Sequence, residues 1–141
     1  MPTKKAMKAT EEKLRAMIVK WGALLDLDRS GIVFKFVYGA NPEDADQSDW
    51  THLAATASRW DYLDGETIFY LAPCSELSDD KLEETFLHEA GHVIVNEMQC
   101  WSNVKDESDI SNAVEHEERV VTQLARILQR VDRKARESVQ N

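Results

Sequence analysis

Residues 78–98 read SDDKLEETFLHEAGHVIVNEM, and within them His88-Glu89-Ala90-Gly91-His92 breaks into an otherwise apolar stretch running from Phe86 to Val95. Ser78 suits a helix N-cap, and Asp79 and Asp80 put negative charge in the first turn, so the spacing predicts a helix from about Ser78 to Met98. Leu82, Phe86, Ala90 and Val93 form one apolar stripe on it, with Leu87 and Ile94 at the border and both histidines pointing away. Positions i and i+4 share a helix face, so both imidazoles can bind one metal ion while Glu89 beside them can handle a proton on metal-bound water. Two imidazoles and a carboxylate among apolar neighbours are costly unless they share a partner.

Beyond a polar connection, Trp101 to Ser108, a long helix is predicted from about Asp109 to Glu137. Its apolar residues Ala113, Val114, Val120, Val121, Leu124, Leu128 and Val131 gather on one side. At about 100° per residue, Glu117 falls in the middle of that arc, whereas His116 and Glu118 lie about 100° to either side and Glu115 lies near the back. A hydrolytic zinc site takes three protein ligands and keeps a fourth position for water. Glu117 is therefore selected as third ligand beside His88 and His92, with Glu118 next because sequence does not set the rotation of the helix. His116, Asp106 and Asp109 are lesser options.

Before the motif, Thr10-Glu11-Glu12 reads as the start of a helix over roughly 10–26, carried by Leu14, Met17, Ile18, Trp21 and Leu25. Turn chemistry at Asp28-Arg29-Ser30-Gly31 precedes a strand over 32–38, and 39–49 reads as an exposed polar loop. Strands from about Thr51 to Trp60 and from Thr67 to Ala72, around a turn at 61–65, form an antiparallel hairpin ended by Pro73. The expected architecture is a single α+β domain over 1–141. It comprises an N-terminal helix, a small three-stranded, mostly antiparallel sheet, the motif helix and a long C-terminal helix. Trp21, Trp50, Trp60 and Trp101 are read as packing residues.

The 141 residues carry a net charge of −9, which argues against nucleic-acid binding, since phosphates need a basic face. Lys4, Lys5, Lys8, Arg130, Arg133, Lys134 and Arg136 are read as solvated helix ends. Cys74 and Cys100 suggest neither a disulfide framework nor a thiolate zinc site. The opening MPTKKAMKATEEK has no apolar stretch behind its lysines, and no run approaches membrane-spanning length. No membrane association is expected, and a cytoplasmic setting fits.

The HExxH residues 88–92, followed by Glu115-His116-Glu117-Glu118-Arg119-Val120-Val121-Thr122-Gln123-Leu124-Ala125, resemble the gluzincin metallopeptidases. More narrowly they are similar to the small single-domain zincins of phage and prophage and to the ImmA/IrrE-like peptidases, over about residues 67–130. The resemblance implies a zincin-like fold and a Zn²⁺ cofactor held by His88, His92 and a glutamate of the final helix, Glu117 or Glu118. It further implies Glu89 as general base and a peptide or protein as substrate. Larger gluzincins often place an aspartate one turn after the glutamate ligand to hold a histidine, and here Val121 occupies that place, so some other group must orient the histidine. The metzincin pattern is excluded because Val95 and Met98 stand where it needs glycine and histidine. An oxyanion donor is expected among Tyr62, Tyr70, His52 and His116, and by analogy residues 67–72 or the neighbouring strand form an edge for extended substrate. The other functional class is a non-proteolytic zincin-fold regulatory or interaction protein, phage-associated, with structural or sensory zinc.

Overall fold

The computed structural model describes residues 1–27, 31–44, 51–59, 64–95 and 107–140, with backbone alone for 58, 59, 64 and 107–113. Thr3 caps the first helix, α1 (Lys4–Leu24), its hydroxyl accepting the Ala6 N–H at 3.2 Å. The helix therefore starts earlier than Thr10, because lysine, alanine and methionine propagate helix well from that cap. Thr10 is an interior residue whose hydroxyl donates to the Ala6 carbonyl at 3.0 Å. Met7, Leu14 and Trp21 lie on its buried face.

Strands β1 (Gly31–Val37), β2 (Ala54–Arg59) and β3 (Asp64–Tyr70) form one sheet in the order β1-β3-β2. β2 and β3 make the expected antiparallel hairpin, but β1 pairs with β3 in parallel, so the sheet is mixed rather than mostly antiparallel. The reason is connectivity: the hairpin enters the sheet through its second strand, which takes the central place and leaves β2 at an edge among the described residues. The segment 67–72 divides between the end of β3 and a short helix, α2 (Leu71–Cys74). Pro73 fits inside that turn, where a missing N–H costs little.

Side chains alternate across the sheet, with Phe34 and Phe36 turned inward while Val33 and Val37 stay exposed. One inward row aligns Phe34, Thr67 and Thr56; the next aligns Phe36, Phe69 and Ala54. Helix α3 (Asp79–Ile94), capped by the Ser78 hydroxyl on the Lys81 N–H, lays Phe86 against this face. Phe86 stacks on Phe34 and Phe69 at centroid distances of 5.9 and 6.1 Å. Each such pair contributes about 0.5–1.5 kcal/mol beyond its burial. The helix ends at Ile94 rather than Met98, where Val93, Ile94 and Val95 place three β-branched residues in succession.

The last helix, α4 (Glu107–Gln140), packs along α3. Gly91 permits the approach, because a Cβ there would stand 2.9 Å from the Cβ of Val121. Glu117, Val121 and Ala125 are buried on this contact, whereas Val114 and Val131 are 44% and 61% exposed, so the buried stripe is narrower than the apolar arc read from sequence. Lys20 ties the three long helices together, reaching Glu83 of α3 at 3.1 Å and Asp132 of α4 at 2.8 Å. Among the described residues no helix is long and apolar enough to cross a membrane. The loop after β1 is not simply exposed, since Asp44, ending a short 3-10 turn (Pro42–Asp44), is 1% exposed. The Asp28–Ser30 turn, the hairpin turn with Tyr62, Trp50, Trp60, Trp101, Met98, Cys100 and Asp106 lie outside the described residues, as does the side chain of Asp109.

Candidate metal centre

Helical spacing puts His88 and His92 one above the other on α3, and their Nε2 atoms come within 3.1 Å. Across the helix contact, α4 presents two consecutive glutamates that do different things. Glu118 Oε2 lies 3.1 Å from His88 Nε2, and Glu118 Oε1 lies 3.1 Å from His92 Nε2, so this carboxylate meets both rings at the same point. Glu117 instead approaches His92 from behind, with Oε1 2.8 Å from Nδ1.

Sequence reasoning chose Glu117 for the shared focus; the structure brings Glu118 there. His88, His92 and Glu118 form the group whose ligand atoms lie mutually close enough to hold one metal ion, all within 4.8 Å. The physical cause is the step of about 100° between consecutive helix residues. Centring Glu117 in the buried arc carries its side chain under His92, and its neighbour is rotated out to the open side, where Glu118 is 51% exposed. One turn beyond Glu118 stands Thr122, whose hydroxyl lies 3.3 Å from His88 Nδ1. Each imidazole therefore has its Nδ1 engaged from α4, by a carboxylate at His92 and a hydroxyl at His88, with Nε2 turned to the focus.

The residues fit a zinc ion. Two nitrogens each about 2.0–2.1 Å from a tetrahedral zinc stand about 3.3–3.4 Å apart, close to the 3.1 Å between the two Nε2 atoms. Glu117 is 4% exposed, and its Oε2 has no hydrogen-bond partner among the described residues. A buried carboxylate so poorly satisfied calls for positive charge nearby, which a cation on the Nε2 side of the imidazole would supply.

Glu89 is 8% exposed and points to the other side of the histidine pair, its Oε2 accepting from the Thr56 hydroxyl of β2. Thr56 in turn lies 3.0 Å, oxygen to oxygen, from buried Thr67 of β3. Glu89, His88, Thr122, Thr85, Thr51 and Leu53 are among the walls of an open cleft of about 360 Å³. Of the suggested oxyanion donors, His52, Tyr70 and His116 do not line it. His52 is engaged elsewhere, its backbone N–H donating to Asp44 Oδ2 at 2.9 Å and its Nδ1 lying 3.1 Å from Asp44 Oδ1. The Thr51 hydroxyl, foremost, together with these contacts holds the Asp44 carboxyl down at about 2. Cys74, whose thiol donates to the Leu53 carbonyl, is buried, its thiol pushed up to about 12 chiefly by desolvation and then by the Glu89 charge, which leaves it inert.

Thr56, Thr67 and Thr122 were missed in the sequence. One signal was available: Thr67 shares strand parity with Phe69, so a hydroxyl had to lie on the apolar inner face. Comparison with known proteins finds no matching family model, no similar curated protein and no similar solved structure.

Proposed function

We propose that the chain is a zinc-dependent peptidase of minimal gluzincin type on a zincin-like fold. His88, His92 and Glu118 hold the metal, Glu117 and Thr122 orient the two imidazoles, and Glu89 is the general base. The observation that supports this reading best is the convergence of two imidazole Nε2 atoms and one carboxylate on a single point, with a second, nearly buried carboxylate on the adjoining cleft. When bound, zinc supplies the Lewis acidity that acidifies water and polarises a carbonyl.

The protein's own groups do the rest. Glu117 and Thr122 fix which ring nitrogen faces the focus, so neither imidazole has to reorient to bind. Glu89 takes the proton of the attacking water and returns it to the departing amine. Strand β2 is paired on one side only among the described residues, and its approach segment lines the cleft, so an extended peptide can lie along this edge and present its carbonyl beside Glu89. Here β2 takes the edge role, and not residues 67–72, which divide between central β3 and α2.

Glu89→Gln tests the reading. It should keep the wild-type zinc content and melting temperature while peptide turnover falls by about 10²–10⁴-fold. Equal turnover in the variant and the wild type would overturn general-base catalysis by Glu89. A biological effect that survived intact in the Gln variant would instead favour the non-proteolytic interaction protein with structural or sensory zinc.

A further inference from the structure

We infer that Thr67 and Thr56 form a two-hydroxyl relay across the sheet that positions Glu89 from β2, an inference that rests on the peptidase reading for its catalytic consequence. An ionised carboxylate only accepts hydrogen bonds, so the Thr56 hydroxyl must donate to Glu89 Oε2. The Thr56 oxygen is then left to accept, and Thr67 donates to it across 3.0 Å. Both O–H bonds point the same way, from the middle of the sheet towards the base.

The alternative is an ordinary cross-strand threonine pair that satisfies itself. Two features set this pair apart. Thr67 is 1% exposed and sits in the inward row beside Phe34, a place where a hydroxyl is unfavourable unless its bond is used. The chain of hydroxyls does not close on a backbone carbonyl but ends on the carboxylate beside the metal focus. With Oε2 held by Thr56, the proton taken from water goes to the other oxygen, Oε1, and leaves from it to the amine; Thr56 remains a donor to Oε2 throughout, so no proton is lost to the relay. Thr56 and Thr67 are positioning residues: they hold the base and touch neither substrate nor metal.

The test uses the full-length, zinc-loaded chain with Thr56→Val, Thr56→Ser and Thr67→Val. Valine keeps the shape and removes the hydroxyl; serine keeps the hydroxyl. On a fluorogenic peptide mixture, T56V should lower kcat by about 10–100-fold with KM and zinc content unchanged, T56S should recover to within about threefold, and T67V should fall between them. A second measurement needs no turnover: the carboxyl ¹³C resonance of Glu89, assigned by its loss in Glu89→Gln, should move in T56V and stay in T56S. A T56V variant with wild-type kcat and an unmoved resonance overturns the relay. So does a T56S variant as impaired as T56V, since the methyl rather than the hydroxyl would then matter. Zinc-loaded wild type with no turnover on any peptide would sink the peptidase reading and the catalytic consequence with it, while the resonance would still decide whether the relay exists.

Discussion

Asp44 and Glu117 are both carboxylates almost out of reach of water, at 1% and 4% exposure, yet their surroundings differ. Asp44 is closed off: the Thr51 hydroxyl, the His52 backbone N–H and the His52 ring share its two oxygens. Glu117 has one oxygen against His92 and the other with no partner among the described residues. A fully satisfied buried charge is a fastening, here between the loop after β1 and the approach to β2. A partly satisfied one is tolerated only where something else balances it. The difference is what the proposed metal site would account for, since a cation held by His92 would balance Glu117.

The sharpest way to break this comparison is at the metal. Glu118→Ala should weaken zinc binding by more than about 100-fold, whereas Glu117→Gln, which keeps a hydrogen-bonding group behind His92, should cost about 10–100-fold, both read by chelator competition. The opposite order would return the ligand role to Glu117. A smaller effect is expected at Gly91→Ala. Its new methyl carbon meets Val121 at 2.9 Å and forces α3 from α4, loosening Glu117 while leaving Asp44 alone. A loss of about 1–3 kcal/mol in thermal unfolding is the expected outcome, and adding Val121→Ala should leave most of it in place, because alanine keeps the Cβ that makes the 2.9 Å contact.

The mildest probe is acid. The Asp44 carboxyl sits at about 2 in the folded chain, below its ordinary value of 3.8, so its contribution to stability is fully present above about pH 4 and is lost as pH falls through about 2. Asp44→Asn should therefore lower stability at neutral pH and flatten the acid limb over that interval in equilibrium unfolding. An unchanged acid limb would remove Asp44 from the account.

Much of this was legible beforehand because it is local. Helical spacing fixes that His88 and His92 share a face, and the apolar arc of α4 fixes that Glu117 is buried. What local pattern could not decide was which of two adjacent glutamates faces Nε2, since the sequence does not set the rotation of α4 about its axis and a turn of about 100° exchanges them. Nor does alternation in residues 31–37 say which strand will lie beside them; the parallel pairing of β1 with β3 is a contact between distant segments. The threonines around the motif were hidden for the same reason, as Thr56 at Glu89 and Thr122 at His88 acquire meaning only when a strand and a helix from either side of α3 close on it. The early start of α1 was a different failure, because Thr3 and Thr10 both have capping chemistry and the one nearer the obvious apolar run proved to be interior.

The strand order β1-β3-β2 has a consequence for synthesis. A nascent polypeptide that has emerged only as far as residue 59 holds two strands that share no hydrogen bonds, because the one destined to lie between them has not yet been made. The imidazoles follow next, and the helix carrying Glu117 and Glu118 comes last. Glu89 therefore follows its partner Thr56 off the ribosome, whereas the carboxylate that meets both imidazoles arrives only with α4, so under the proposed reading a chain stalled before α4 would lack one of the three metal-binding groups.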